Sequence, residues 1–487
     1  MRIETDILVV GAGSAGCALA GRLAEAGHEV VLLEAGPDYG SYAGSIWPTD
    51  LVDARRLALS HDWGYVSSPW EFQRARVMGG CSSHNGAIAA VGHRHDYDAW
   101  NLAGWSGTAL KPVFDAVLER MRVRTYGRDE VVPFHSQCLQ AASGLGWKMA
   151  EDLCDLDAND SFGLESVNVD GTVRWNAAFA YIDPVRHLPN LRIVDRVMVD
   201  RFVSVPDGVR VFASRHDKLL MFHAQRLVLS AGVYGSPCIL QRSGVGDSAR
   251  LGKLGIETVV HSPEVGANLH DHPMARVDRL VGDELQQWLD ETAATGFLPE
   301  EQTLGKAVSE QSADGIFDLH LFPVCASDQT SQLHGQVQIM VACMNPKSRG
   351  RLDITSTRPE DQPHIDHAYL TDSDDHDIAV IRDGINMAEA LFKQPCLARL
   401  LGGSITDTGS DAAIRNDIAH YYHPVGTCRM GTDADAVCDA RGQVNGVNSV
   451  YVADASIFPE IPRANTNIPS VVVGEVVAGF IKGESDF

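Results

Sequence analysis

Hydrophobic and polar positions alternate in a telling way at the start of the chain. Asp6-Ile7-Leu8-Val9-Val10 is an apolar run short enough for a buried strand. It runs into Gly11-Ala12-Gly13-Ser14-Ala15-Gly16 and then an apolar stripe at helical spacing that ends near Gly27. His28-Glu29-Val30-Val31-Leu32-Leu33 predicts a second strand, closed by Glu34. Strand, glycine turn, helix and strand in this order predict a dinucleotide pyrophosphate site. Gly11 permits the tight turn, Gly13 lets backbone approach the phosphates, and Gly16 lets helix and strand pack closely, while Ser14 and Ala15 bring the helix N-terminal amides to the anion. Glu34 stands where a carboxylate holds ribose hydroxyls, and no Arg beside it competes for a 2′-phosphate.

Further along, residues 35–74 are rich in Gly, Pro, Ser and Trp and predict a long irregular excursion with short helices, a length that signals function. The short runs Leu191–Val194, Val209–Phe212 and Arg226–Leu229 predict a small antiparallel meander returning to a buried strand. That strand stops at Ser230-Ala231-Gly232, a second glycine turn entering a helix. From about Met274 to Tyr422 the glycine turns thin out, and strand-like runs at 338–341 and 352–354 alternate with a helical stretch at 377–391, as in a separate lobe. Nucleotide-type patterning returns at Tyr451-Val452-Ala453-Asp454-Ala455-Ser456 and a last helix from about Pro469 to Ile481. A nucleotide lobe in separated segments, with another lobe inserted, fits this order.

At 487 residues the chain is long enough for a large core, and Lys+Arg 40 against Asp+Glu 64 gives a formal charge of −24. That balance argues against nucleic acid as a partner. The ten cysteines show no paired spacing, so neither a disulfide framework nor a metal site is expected. The first strand begins too near Met1 for a secretion signal, and no apolar run approaches the roughly 20 residues of a spanning helix, so a cytoplasmic protein without a membrane partner is expected.

Further motifs follow in order: Arg76-Val77-Met78-Gly79-Gly80-Cys81-Ser82-Ser83-His84-Asn85-Gly86-Ala87, the 230–246 segment, Val265-Gly266-Ala267-Asn268-Leu269-His270-Asp271-His272, His423-Pro424-Val425-Gly426-Thr427, and Asn465-Thr466-Asn467. Together with the opening fingerprint they resemble the glucose-methanol-choline flavoprotein oxidoreductases over nearly the whole chain, and are most similar to the choline oxidase branch. The resemblance implies an α/β fold (α+β overall), a Rossmann-like FAD-binding domain with an inserted antiparallel-sheet substrate domain. The expected boundaries are 1–150, 185–275 and 424–487 for the first, and 151–184 and 276–423 for the second. It implies FAD with Glu34 at the adenosine ribose, the backbone near Val197 at the adenine and Asp454 near the ribityl-pyrophosphate, and Ala35, Ala231 and Ala455 are also expected to bind the cofactor. Gly79, Gly80, Asn85 and their neighbours Arg76, Ser83, His84, Gly86 and Ala87 are expected to line the flavin, and Asn467, Ile468 and Pro469 are also expected to bind the cofactor. His84 stands where the choline oxidase branch bonds histidine covalently to the flavin.

Alcohol oxidation by flavin requires a base for the hydroxyl proton, and the resemblance gives that role to His423, an imidazole titrating near working pH. Asn467 precedes Ile468-Pro469, so it is expected at a helix N-cap, where its side chain steadies an alkoxide and the helix's positive end favours reduced flavin. The expected reaction is oxidation of a primary alcohol to the aldehyde, with O2 or another acceptor reoxidising the flavin, and a homodimer is the expected assembly. The alternative is a hydroxynitrile lyase of the same family, in which the flavin is not reduced. The chain departs from choline oxidase at Asn345, which stands in place of a histidine, and at Gly86, in place of serine; Glu300 and Glu301 are the nearest candidates for a carboxylate facing a substrate cation.

Overall fold

The structure is a computed structural model that describes residues 2–44, 46–55, 57–295, 299–326, 331 and 333–483. Two seven-stranded sheets organise it. In the first, Leu191–Val194, Val30–Leu33, Arg2–Val10 and Lys218–Leu229 lie side by side and parallel. The long strand Lys218–Leu229 then serves two partners. Its first half pairs antiparallel with Gly208–Arg215, which pairs with Met198–Val205, and its last three residues pair parallel with Val450–Val452. Leu8, Val9, Val10 and all of Val30–Leu33 are buried, as strands covered on both faces require.

Helices Ser14–Glu25 and Asn467–Lys482 pack together over this sheet, and glycine makes their approach close. A Cβ at Gly474 would stand 2.3 Å from the Ala15 carbonyl oxygen, and one at Gly16 would stand 1.9 Å from that of Gly11. Leu191–Val194 does not belong to the meander expected from the sequence: it extends the parallel set beside Val30–Leu33. A four-residue apolar run carries no mark of its partner's direction, which explains the difference.

The second sheet runs Leu401–Ser404, Pro273–Val281, Gln336–Cys343, Leu319–Cys325, Thr303–Ala307 and Ser161–Leu164, all antiparallel, with Ala419–His420 beside the start of Pro273–Val281. Its two faces alternate strictly. Ala275, Val277, Leu319, Leu321, Val337, Ile339 and Val341 turn into a core covered by helices Pro133–Gly144 and His376–Phe392. Met274, Phe322, Val324, Gln338 and Met340 turn the other way and line a large cavity against the first lobe.

Packing differs from the expected domain boundaries at two places. Helix Pro133–Gly144 contributes Phe134, Cys138, Ala141 and Ala142 to the core of the second sheet. Trp175, Phe179 and Tyr181 fill the core of the first, where Gly21 leaves room for the Tyr181 backbone. Among the described residues no helix is long and apolar enough to cross a membrane.

Candidate active site

One cavity of about 1230 Å³ runs from the C-terminal ends of the parallel strands to the inner face of the antiparallel sheet. Ligands in open α/β sheets lie outside the carboxyl ends of the strands, and this volume exceeds the usual ligand pocket, leaving room for a dinucleotide together with a small substrate. Gly11, Gly13, Ser14, Ala15, Glu34, Ala35, Arg76, Gly80, His84, Asn85, Gly86, Val197, Ala231, Asp454, Ala455, His423 and Asn467 all line it. Gly16, Gly79, Ser83, Ala87, Ile468 and Pro469 do not. Gly16 serves helix packing, Gly79 has φ +87° and its N–H bonds the Ala12 carbonyl, and the Ser83 hydroxyl donates to Met78 O at 2.9 Å. Ala87, Ile468 and Pro469 are buried behind the wall.

Several walls are built by backbone with no room for side chains. Gly80 (φ +53°) meets Gly13 so closely that a Cβ on it would lie 2.6 Å from the Gly13 Cα. The phosphate turn and the 79–86 segment are therefore in backbone contact. Glu34 is buried, with its carboxylate accepting from the Ala12 N–H at 3.0 Å and the Gly36 N–H at 2.7 Å. Burial pushes its pKa up to about 7 against those two amides. Asp454 fixes the second glycine turn, accepting from the Gly232 N–H at 2.9 Å and from the Ser236 hydroxyl. The Val197 N–H is taken by the Glu34 carbonyl at 2.8 Å. Arg76 packs over the Trp63 ring and donates to the Ala35 carbonyl.

Three polar atoms fit a bound flavin. His84 Nε2 and Asn467 Nδ2 are buried without a hydrogen-bond partner among the described residues, as is Asn465 Oδ1. Such groups cost free energy unless something bonds them. Asn467 is the first residue of helix Asn467–Lys482, after an N-cap at Thr466, so it stands next to the cap as expected. Its Oδ1 accepts from the Ser14 hydroxyl at 2.7 Å, which turns its NH₂ the other way. Burial lowers the His84 pKa to about 4, so its ring is neutral at physiological pH.

His423 is held from three sides. Its N–H donates to Asp271 Oδ1 at 2.9 Å, and its Nδ1 meets Nδ1 of His272 at 3.1 Å. The preceding carbonyl, that of Tyr422 at φ +67°, accepts from Arg74 Nη2 at 2.9 Å. Asp271 is oriented in turn by the Tyr369 hydroxyl at 2.9 Å. With Nδ1 engaged, Nε2 is the ring nitrogen left for the cavity. Burial, His272, His320 and Arg74 together hold the His423 pKa well below the ordinary histidine value, so the ring is a neutral base at neutral pH.

Sequence reading missed several of these groups. Asp271 and His272 lie inside the 265–272 motif, yet nothing in one sequence says that they touch His423. The wall supplied by the antiparallel sheet mixes apolar Met274, Phe322, Val324 and Met340 with Arg276, Ser331, Gln338 and the carboxylates Glu300 and Glu301. A Cβ at Gly86 would stand 3.0 Å from Glu301 Oε2, so the absence of a side chain there makes room for that carboxylate. Burial and Glu300 raise the Glu301 pKa to about 8. Glu165 lies behind it, with neither carboxylate oxygen bonded among the described residues. Asn345 is exposed and does not reach the cavity.

Two family models described as GMC oxidoreductase match the chain, one over residues 5–274 and one over 346–474. The chain is 32% identical to mouse (Mus musculus) mitochondrial choline dehydrogenase, covering 99% of itself and 90% of that protein. It is 30% identical to an oxygen-dependent choline dehydrogenase of Rhizobium johnstonii, covering 99% and 96%. Among solved structures, pyridoxine 4-oxidase from Mesorbium loti superposes with a TM-score of 0.85 at 24% identity, over 98% of this chain and 99% of that one. An Aspergillus oryzae formate oxidase variant superposes with a TM-score of 0.84 at 23% identity, over 99% of each chain.

Proposed function

The chain belongs to the glucose-methanol-choline family of FAD-binding oxidoreductases acting on CH–OH donors, and from that premise we propose that it oxidises a primary alcohol bearing a cationic group. His423 takes the hydroxyl proton and Asn467 steadies the oxygen. The observation that carries this reading is a pair of atoms in one cavity with no hydrogen bond among the described residues: Nε2 of His423, with Nδ1 engaged by His272, and Nδ2 of Asn467, with Oδ1 engaged by Ser14. FAD, when bound, supplies the acceptor for the hydride leaving the alcohol's α-carbon, and O2 or another acceptor then removes the electrons. The lyase alternative finds no support among the relatives found.

The chain's own part is positioning and proton transfer. A neutral alcohol losing hydride would become a protonated carbonyl, so a base at the hydroxyl lowers the barrier, typically by about 10² to 10⁴-fold. Asp271 and His272 fix the ring so that its lone pair is aimed before the substrate arrives. The Asn467 amide donates to the oxygen as negative charge grows there. Glu301 offers its carboxylate to a cation, supporting an amino alcohol of the choline type, as the names of the curated relatives suggest. We also assign His84 as the site of covalent attachment, supported by its unpartnered, neutral Nε2 in the cavity wall.

Comparing choline with its uncharged isostere 3,3-dimethylbutan-1-ol tests the substrate class. The proposal expects kcat/KM at least tenfold higher for the cation. Equal values would remove the cationic group from the proposal while leaving alcohol oxidation standing.

A further inference from the structure

The proton that His423 removes has to go somewhere, and the cavity side is where substrate and cofactor exclude water. Behind His423 lies a set of buried polar groups with no part in binding. His272 bonds His423 through Nδ1 at 3.1 Å; its Nε2 has no partner of good hydrogen-bond geometry among the described residues, although the Pro462 and Met344 backbone lies close to the ring. Neither ring nitrogen of His320 has such a partner either, and His320 is fully buried. Lys306, also buried, has no carboxylate in hydrogen-bond contact among the described residues: its Nζ donates to the Leu153 carbonyl at 2.9 Å and stands 4.8 Å from the centre of the Phe317 ring.

Sheet register brings these groups into one row. Lys306 is the cross-strand partner of His320, His320 of Ala342, and Ala342 of Met274, two residues after His272. Residues directly opposite one another share a sheet face, and here it is the face turned to the cavity, not the apolar core. Directly opposed Cβ atoms lie about 4.5–5.5 Å apart, so Lys306 and His320 are immediate neighbours. Ala342, a small side chain, and the Tyr421 ring, 6.2 Å from that of His272 and 6.3 Å from that of His320, lie between the two imidazoles. A dry apolar face would place Leu or Val at these positions. Buried imidazoles without protein partners are instead the groups that internal water satisfies, and water between such groups conducts protons.

We propose that the hydroxyl proton taken by His423 leaves through the protein, by way of His272 and His320 to Lys306 and the surface segment 151–155. The inference rests on His423 being the base. In the step, the C–H bond breaks with its electron pair passing to bound FAD. The O–H bond breaks with its pair kept on oxygen to form the carbonyl. His423 gains the proton at Nε2, passes the Nδ1 proton to Nδ1 of His272, and His272 gives up the proton on Nε2. One proton leaves for each alcohol oxidised. Reoxidation by dioxygen to hydrogen peroxide consumes one proton, which His423 Nε2 delivers; the row then runs inward and restores both tautomers. Asp152 and Asp155 on the exposed segment, with Cys154, Asp96 and His93, are the other titratable groups around Lys306.

Anaerobic stopped-flow of the holoenzyme with choline, in weak buffer with a pH-indicator dye, reads flavin bleaching and proton release in one mixing. In the unaltered protein one proton should appear per flavin, in step with bleaching. His320→Phe keeps the stacking on Phe317 and removes both nitrogens. His272→Asn keeps an acceptor for His423 Nδ1 and removes the onward nitrogen, which separates relaying from orienting. In both, proton release should lag bleaching by tenfold or more, and Lys306→Met should show the same lag if either histidine variant fails to fold. Release in step with bleaching in any folded variant would overturn the relay. Absence of bleaching by any alcohol, in the unaltered protein, would instead overturn the assigned reaction.

Discussion

Replacing His423 by alanine isolates proton removal from everything else the site does. The hydrogen bonds of His423 run to Asp271 and His272 and not to the glycine turn at 11–16, so FAD should remain bound while reduction slows. A positioned base contributes about 10² to 10⁴-fold, or roughly 2.7 to 5.5 kcal/mol of transition-state stabilisation at 1.36 kcal/mol per decade. The upper half of that range is expected here. The ring is held at its backbone N–H, at Nδ1 and through the carbonyl before it, so little orientation remains to be found during the reaction. The pH dependence adds a second constraint. The pKa of His423 is lowered, chiefly by burial, so the neutral, proton-accepting form is present above that value and is lost only as pH falls well below 6.5. Flavin reduction at saturating alcohol, followed by anaerobic stopped-flow, should therefore stay level from pH 8 to 6 in the unaltered protein and fall by at least 10² in His423→Ala. Near-normal reduction by the variant would place the base elsewhere, and a loss of rate with a midpoint at or above pH 6.5 would refute the lowered pKa.

Asn467→Ala removes one hydrogen bond to a developing charge, worth about 1.5–3 kcal/mol, and reduction by the same assay should slow by about 10- to 150-fold, less than for His423→Ala. Glu301 has its pKa raised to about 8, so the carboxylate that binds a cation appears as pH rises through that value; kcat/KM for choline should climb between pH 7 and 9, and Glu301→Gln should abolish the climb. Acid precipitation of the purified protein should leave a yellow pellet, and His84→Ala should release all of its flavin to the supernatant while still folding; flavin released equally from both would disprove the covalent link.

The sequence was most legible where backbone chemistry is local. Gly11 and Gly16 each imply a constraint that the structure bears out: φ +101° at Gly11, and at Gly16 packing against the Gly11 carbonyl and Ser230 too tight for a side chain. Asn467 was readable as near an N-cap from Ile468-Pro469 alone. Contacts made across the chain were not legible. The Asp271–His423 bond joins residues 152 apart, and the Glu301 carboxylate lies against Gly86, where a side chain would crowd it. Arg174 gave no signal at all. Its buried guanidinium donates to the carbonyls of Leu51, Asp53 and Asn85, binding the irregular 35–74 excursion to the flavin-side loop. Domain edges were illegible for a related reason: Phe134 and Phe179 are equally apolar, and only packing decides which core each one joins.

The central claim is that this cavity turns a primary alcohol into an aldehyde while bound FAD receives the electrons. Anaerobic addition of choline and a panel of other primary alcohols to the purified holoenzyme tests it most directly, with the flavin spectrum and the aldehyde read together. The account predicts bleaching by at least one cationic alcohol, one aldehyde per flavin, and return of the colour on adding O2 or an artificial acceptor. Turnover of an alcohol or cyanohydrin to a carbonyl with the flavin remaining oxidised throughout would contradict it.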